Sequence, residues 1–157
     1  MDSVLVSACF LGEKVRYDGK GKSLINETLQ LWQQQNRLRS FCPEVAGGLP
    51  VPRQPAEIQP TDGRIITCDG DDVTSQFIKG AQQALAVCQQ HNIRFALLKE
   101  SSPSCGSTMV YDGFFQNKKI IGAGVTTTLL RENGIQVFSE NNITALISAV
   151  EHLNATP

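Results

Sequence analysis

Apolar residues along the chain follow two kinds of spacing: short continuous runs, and longer segments in which they recur every three or four residues. Short runs of this kind are typical of buried strands. The run at 3–8 is β-branched, and further strands are predicted at 38–42, 94–98 and 136–139. The longer spacing is typical of helices with one buried face, and it covers 26–35, 74–92, 125–132 and 142–153. Asn26 and Thr74 are expected to cap the first two helices.

Strands and helices therefore alternate along the chain. This order predicts a single-domain α/β fold over residues 1–157, with a mainly parallel, Rossmann-like sheet and helices on both faces. Five prolines between 43 and 60 predict an irregular loop after the second strand, followed by a small strand excursion at 64–68. In such folds ligands bind beyond the carboxyl ends of the strands. We therefore expect the functional residues to lie at that edge of the sheet.

The composition and net charge of the chain limit the kinds of partner that it can bind. The chain has 157 residues, 41% of them hydrophobic, and a formal net charge of −1. Such a charge cannot attract nucleic acid or an anionic membrane to the protein as a whole. No apolar stretch approaches the length of a membrane span, and Met1-Asp2-Ser3 is not a basic signal-peptide start. We therefore expect a cytoplasmic protein without a membrane partner and without stable nucleic-acid binding.

Three of the five cysteines lie at the carboxyl ends of predicted strands. Cys9 follows the first strand, Cys42 closes the second and Cys105 lies in the loop after the third, so they are expected to converge at one edge of the sheet. An odd number of widely spaced cysteines argues against a disulfide framework. Cys88 lies on the apolar face of its helix and Cys68 in the strand excursion, and both are interpreted as structural.

Three convergent thiolates favour zinc or an iron–sulfur cluster, because soft ligands select these metals. Three protein ligands also leave one metal position open, as in catalytic sites. The residues leave three hypotheses standing: a zinc hydrolase, an iron–sulfur enzyme, and an iron–sulfur sensor that binds a sulfur species without turnover. His91 and His152, the two histidines, are interpreted as surface residues.

A basic loop and two glycines are candidates for binding an anionic substrate. Lys14 and Arg16 lie in a loop after the first strand that also contains Asp18, Lys20 and Lys22. A guanidinium there can form a bidentate contact with phosphate or carboxylate. Gly47 and Gly48 can bring backbone amides close to an anion. Asp18 either contacts the substrate or shapes a turn.

Several motifs, taken in order, resemble the bacterial thiouracil desulfidase family. The resemblance covers the chain from Ser3 to about Glu140. The segments that support it are Val6-Ser7-Ala8-Cys9, Val15-Arg16-Tyr17-Asp18-Gly19, Cys42-Pro43-Glu44-Val45, Gly47-Gly48-Leu49-Pro50, Pro52-Arg53, Lys99-Glu100-Ser101-Ser102-Pro103-Ser104-Cys105-Gly106 and Val110-Tyr111-Asp112-Gly113.

The resemblance implies a [4Fe-4S] cluster on Cys9, Cys42 and Cys105, with a fourth iron that takes the sulfur of the substrate. It also implies that Glu44 and Ser101 are catalytic, with Ser102 a close alternative in contact with the substrate. The implied reaction is non-redox: thiouracil and water give uracil and hydrogen sulfide. The single-domain members act on free thiouracil or 4-thiouridine monophosphate, so a small thiolated pyrimidine is the expected partner.

Overall fold

The computed structural model describes residues 3–13, 16–19, 24 and 26–155. Its strands and helices, in chain order, are β1 (Val4–Ser7), α1 (Glu27–Gln34), β2 (Leu38–Phe41), α2 (Pro43–Ala46), β3 (Ala56–Ile58), β4 (Ile65–Thr67), α3 (Thr74–Gln90), β5 (Phe95–Leu97), β6 (Met109–Tyr111), β7 (Lys119–Ile121), α4 (Val125–Glu132), β8 (Gln136–Phe138) and α5 (Ile143–Ala155). Two short 3-10 turns, Ala8–Leu11 and Glu140–Asn142, follow β1 and β8.

The central sheet has four parallel strands in the order β2-β1-β5-β8. Because successive side chains of a strand point to opposite faces, Leu5 and Ala96 pack on one face with residues of α3 and α4. Val6 and Leu97 pack on the other face with residues of α1 and α5. The predicted fold class, a mainly parallel sheet with helices on both faces, is confirmed.

The two expected helix caps have different outcomes. Asn26 caps α1 as predicted, since its side chain accepts the backbone N–H of Leu29 at 3.1 Å. The expectation that Thr74 caps α3 is wrong, because α3 begins at Thr74 itself. Asp72 Oδ1 accepts both the backbone N–H and the hydroxyl of Thr74, at 2.9 and 2.6 Å. Asp72 therefore supplies the hydrogen-bond acceptor for the first backbone N–H of this helix.

Two small antiparallel hairpins extend the fold. The strand excursion is confirmed as β4, which pairs with β3. The expectation of an irregular loop from 43 to 60 is wrong in two places: α2 forms with Pro43 in its first turn, and β3 forms beyond Pro55. A first-turn proline lacks only an N–H that the helix does not use. The second hairpin, β6–β7, has no sequence prediction.

Helix α2 packs against α3 through backbone contacts. A Cβ at Gly47 would overlap the backbone oxygen of Gln76, and a Cβ at Gly80 would overlap that of Pro43. Both positions therefore require glycine. This close approach fixes α2, whose first turn contains Glu44 and directly follows Cys42.

Among the described residues, no helix has both the length and the hydropathy needed to cross a bilayer.

Candidate active site

The three cysteines singled out by the sequence line one pocket of about 590 Å³. Cys9 lies in the 3-10 turn after β1, Cys42 directly after β2, and Cys105 in the segment after β5. The pocket therefore lies at the carboxyl ends of three neighbouring strands, where the topology predicts a ligand site. The remaining cysteines, Cys68 and Cys88, are not among its described lining residues.

Burial raises the pKa of all three thiols, and the neighbouring thiols add to the rise for Cys9 and Cys105. Burial, together with a smaller contribution from the charge of Cys42, raises the pKa of Cys9 to about 11. Burial also raises the pKa of Cys42. The pKa of Cys105 rises through burial first, and then through the charges of Glu44, Cys42 and Cys9. Thiolates in this pocket require a strong cationic partner, which is what metal binding supplies when it displaces the thiol protons.

The three thiols share one pocket and influence one another electrostatically. Among the described residues, no group of three or more His, Cys, Asp or Glu side chains forms a preformed site for a metal ion. Three soft sulfur donors that line one cavity are of the ligand type that iron–sulfur clusters and zinc both take.

The turn that contains Cys105 is fixed by hydroxyl groups. Ser102 Oγ accepts the backbone N–H groups of Ser104 and Cys105, at 3.0 and 2.8 Å. The hydroxyls of Ser104 and Thr126 form a hydrogen bond of 2.7 Å, and Thr127 Oγ1 donates to the backbone oxygen of Cys105 at 2.9 Å. Ser102 also lines the pocket, but its oxygen is already engaged in this turn.

The Ser101 hydroxyl, unlike that of Ser102, is not engaged in a hydrogen bond with a described residue. Ser101 is buried, and its backbone has φ +71°, in the left-handed region that non-glycine residues rarely adopt. Its Oγ is shielded from solvent and has no hydrogen-bond partner in the described part of the chain. A buried hydroxyl without a partner is costly, so a group bound in the pocket is expected to complete its hydrogen bonding.

Glu44 forms an ion pair with Arg53 in the pocket wall, with 3.5 Å between Oε2 and Nη2. Burial raises the pKa of the Glu44 carboxyl, and the charge and hydrogen bond of Arg53 oppose part of that rise. Arg53 Nη1 donates to the backbone oxygen of Pro50 at 3.2 Å. Its buried Nε has no partner among the described residues. Like Ser101 Oγ, this atom fits a pocket whose ligand supplies the missing contact.

The predicted substrate-binding residues separate into three groups. Arg16 and Ser102 line the pocket, whereas Asp18, Gly47 and Gly48 are not among its described lining residues. Arg16 Nη2 forms an ion pair with Asp18 Oδ2 at 3.3 Å, so Asp18 lies behind Arg16 and can orient its guanidinium. Lys14 lies outside the described residues.

Several lining residues have no predicted role from sequence. Arg53 and Lys99 belong to segments quoted for the family resemblance, and the available signal was their position, Arg53 within the proline-rich loop and Lys99 after a strand. Tyr111 and Lys119 belong to β6 and β7, a hairpin that the sequence pattern does not indicate. The Lys119 ammonium lies 5.6 Å from the centre of the Tyr111 ring, and both residues border the same pocket.

Comparison with known proteins gives three consistent matches. The family model described as 2-thiouracil desulfurase matches residues 4–142. The uncharacterized protein YbbK of Bacillus subtilis (strain 168) is 38% identical over 152 residues, covering 92% of this chain and 99% of YbbK. A solved structure of the [4Fe-4S]-dependent thiouracil desulfidase TudS has a TM-score of 0.93 and 48% identity, covering 96% of this chain and 99% of that chain.

Proposed function

Because this chain belongs to the 2-thiouracil desulfurase family, we propose that it removes sulfur from thiolated uracil compounds with a [4Fe-4S] cluster bound by Cys9, Cys42 and Cys105. The observation on which the proposal rests most directly is the convergence of these three thiols in one pocket at the carboxyl ends of β1, β2 and β5. The similar TudS structure is that of a [4Fe-4S]-dependent thiouracil desulfidase.

The donor set fits such a cluster. Three cysteine ligands would leave one iron of the cluster open, and when bound the cluster would supply there a Lewis acid that accepts the soft sulfur of a thiocarbonyl. The similarity to a [4Fe-4S]-dependent enzyme favours the cluster over the zinc hydrolase hypothesis. The unpartnered Ser101 Oγ and Arg53 Nε mark the same pocket as a ligand site.

Glu44 is proposed as the general base. Its carboxylate lines the pocket with Cys42, burial raises its pKa, and Arg53 opposes part of that rise. A carboxylate that reaches the attacking water can act as its base. It takes a proton from a water molecule whose oxygen then bonds to the ring carbon. The carbon–sulfur bond breaks and sulfur leaves as hydrosulfide, so no electron donor or acceptor is consumed.

Ser101 is proposed to orient the pyrimidine ring. Its free hydroxyl can donate a hydrogen bond to a ring atom or return the proton held by Glu44. Ser102 contributes differently in this account, because its oxygen already accepts two backbone N–H groups. Ser101 is therefore preferred over Ser102 as the residue that contacts the reacting base.

For a nucleotide substrate such as 4-thiouridine monophosphate, we propose that Arg16 binds the phosphate. Arg16 lines the pocket, and its pairing with Asp18 orients the guanidinium. Arg16→Ala is expected to raise KM for 4-thiouridine monophosphate more than for 4-thiouracil. Arg64→Ala, which removes an ion-paired arginine outside the pocket, serves as control. Equal effects of Arg16→Ala on both substrates would contradict this role.

The experiment that tests the function is anaerobic assay of uracil and sulfide formation from 2-thiouracil and 4-thiouracil. The wild type is expected to form both products in equal amounts over many turnovers without a redox partner. Glu44→Gln should keep its iron but lose about 100-fold or more in kcat, as expected for a general base. Glu132→Gln, an exposed change on α4, should behave as wild type. Binding of a sulfur compound without turnover would instead support the sensor hypothesis.

A further inference from the structure

Glu100 is a buried carboxylate for which neither the family resemblance nor the proposed reaction assigns a role. It follows β5, borders the pocket and is 7% exposed. Buried charged groups are rare unless they are paired or fully hydrogen-bonded. The hydrogen bonds that the Glu100 carboxylate accepts therefore indicate its structural role.

The carboxylate accepts six hydrogen bonds from the segment that follows it. Oε1 accepts four backbone N–H groups, those of Ser101, Ser107, Thr108 and Met109, at 3.1, 2.8, 3.1 and 3.3 Å. Oε2 accepts the hydroxyls of Ser107 and Thr108. This one side chain thus closes the loop 101–109, which contains both Ser101 and Cys105.

The carboxylate is ionised throughout the physiological range. Burial raises the pKa of Glu100, but the hydrogen bonds from Ser107, Thr108 and Ser101 outweigh burial and lower it to about 2. Glutamine can keep an oxygen at the Oε1 site, but this oxygen is uncharged, so the four backbone N–H groups would donate to a weaker acceptor. Its NH₂ group would face the two hydroxyls, which would have to rotate to accept. The four N–H groups around Oε1 therefore favour a charged carboxylate.

Ser101 is the residue on which this arrangement has the clearest effect. Its left-handed backbone, at φ +71°, is strained for a residue other than glycine and persists only because the surroundings impose it. Its N–H is one of the six donors to Glu100, and a parallel bridge joins it to Val110. Its own Oγ has no hydrogen-bond partner among the described residues. The loop therefore holds the backbone of Ser101 and leaves its hydroxyl unused.

The rest of the sheet edge anchors Glu100 in turn. Its backbone N–H donates to Glu140 Oε1 at 2.7 Å, and Glu140 Oε2 pairs with Lys99 Nζ at 2.9 Å. The backbone N–H of Lys99 donates to Ser7 Oγ at 2.9 Å, two residues before Cys9. The closed loop is thereby tied to the ends of β1 and β8.

We propose that Glu100 is a positioning residue that acts through Ser101: by closing the loop 101–109 it imposes the backbone conformation that presents the Ser101 hydroxyl to the substrate. This inference rests on the proposed function for its kinetic consequence. Its structural part, closure of the loop by the carboxylate, is tested separately from turnover.

The test compares Glu100→Gln, Ser101→Ala and the double variant as purified, cluster-containing proteins. Each is assayed for sulfide release from 2-thiouracil or 4-thiouracil, whichever the wild type converts faster. Glu100→Gln is expected to lower kcat by about 10- to 100-fold while KM changes by less than about three-fold, because misplacement affects the reacting geometry. The double variant should have the kcat of Ser101→Ala within about three-fold, since residues that act as a unit are not additive.

Amide hydrogen exchange supplies a second readout that does not depend on turnover. Exchange at Ser107, Thr108 and Met109 should be faster in Glu100→Gln. It should be unchanged in Asp72→Asn, which makes the same chemical change at a carboxylate that accepts a backbone N–H outside the pocket. Ser107→Ala removes one of the two hydroxyl donors to Glu100, so exchange in the loop should rise by less than in Glu100→Gln. This variant takes the place of Glu100→Gln in the exchange experiment if Glu100→Gln does not fold.

Three results would overturn the inference: unchanged exchange in the loop, wild-type kcat in Glu100→Gln, or effects of Glu100 and Ser101 that multiply in the double variant. A wild-type protein that releases no sulfide would refute the proposed function, and the exchange measurement would still decide whether Glu100 closes the loop.

Discussion

Arg53 Nη2 lies 3.5 Å from Glu44 Oε2, and this ion pair is largely enclosed in the wall of the pocket that the three cysteines share. The pair joins α2 to the proline-rich segment that follows it. Breaking a buried pair by removal of one partner is costly, because the other charge remains without compensation.

We predict that Arg53→Met lowers the free energy of unfolding by about 3 kcal/mol. For a chain of this length the melting temperature would fall by roughly 6–12 °C. The double variant Glu44→Gln, Arg53→Met removes both charges and should recover a large part of the loss. Anaerobic thermal unfolding of the single and double variants measures both shifts. A double variant that melts below Arg53→Met would show that the pair is not the source of the stability.

Ser101→Ala and Ser102→Ala should fail in different ways. Ser102 Oγ accepts the N–H groups of Ser104 and Cys105, so its removal leaves two turn amides unpaired and costs about 1 kcal/mol or more. Iron content should fall with it, because Cys105 lies in that turn. Ser101→Ala removes a hydroxyl without a described partner, so stability and iron content should hold while kcat falls. Identical behaviour of the two variants would contradict this division.

Gly80→Ala tests the contact between α2 and α3. Alanine in a helix is normally favoured over glycine by about 1 kcal/mol. Here its Cβ would overlap the backbone oxygen of Pro43, and the resulting displacement should cost about 1–3 kcal/mol net. Turnover should fall as well, because α2 contains Glu44. Gln82→Ala, at an exposed position of the same helix, should leave the melting temperature and kcat unchanged, and a stabilised Gly80→Ala would refute the contact.

The pH dependence of stability should identify Glu100. Its pKa is lowered from 4.5 to about 2 in the folded chain, so its contribution is fully present above pH 4.5 and is lost as the pH falls toward 2. After allowance for solvent screening, the shift corresponds to at most about 3 kcal/mol. The difference in unfolding free energy between wild type and Glu100→Gln should therefore decrease between pH 5 and pH 3. Urea unfolding of the full chain after removal of metal measures it, and a pH-independent difference would contradict the assignment.

Elements with strong local patterns were predictable from the sequence. The apolar runs of β1 and β5 and the apolar face of α3 are regular, and their order fixes the parallel sheet and the edge where ligands bind. The convergence of Cys9, Cys42 and Cys105 follows from that order alone, because each comes after a different strand of one sheet.

Features set by tertiary contacts were not predictable. Strand β7 is exposed along its length and has no apolar alternation to indicate it, so the hairpin that supplies Tyr111 and Lys119 to the pocket was missed. The ion pair of Arg53 with Glu44 depends on the path of a loop rich in proline. Gly47 resembles an anion-binding glycine in sequence, yet its lack of a side chain accommodates α3.

The measurement that tests the central claim most directly is iron and acid-labile sulfide content, determined together with sulfide-releasing turnover on the same anaerobically purified samples. Wild type, Cys68→Ser and Cys88→Ser should contain iron and labile sulfide in cluster proportions and should release sulfide from thiouracil. Cys9→Ser, Cys42→Ser and Cys105→Ser should lose both the cluster and turnover. Zinc without labile sulfide in the wild type, or full turnover in Cys105→Ser, would contradict the claim that these three thiols hold the catalytic cluster.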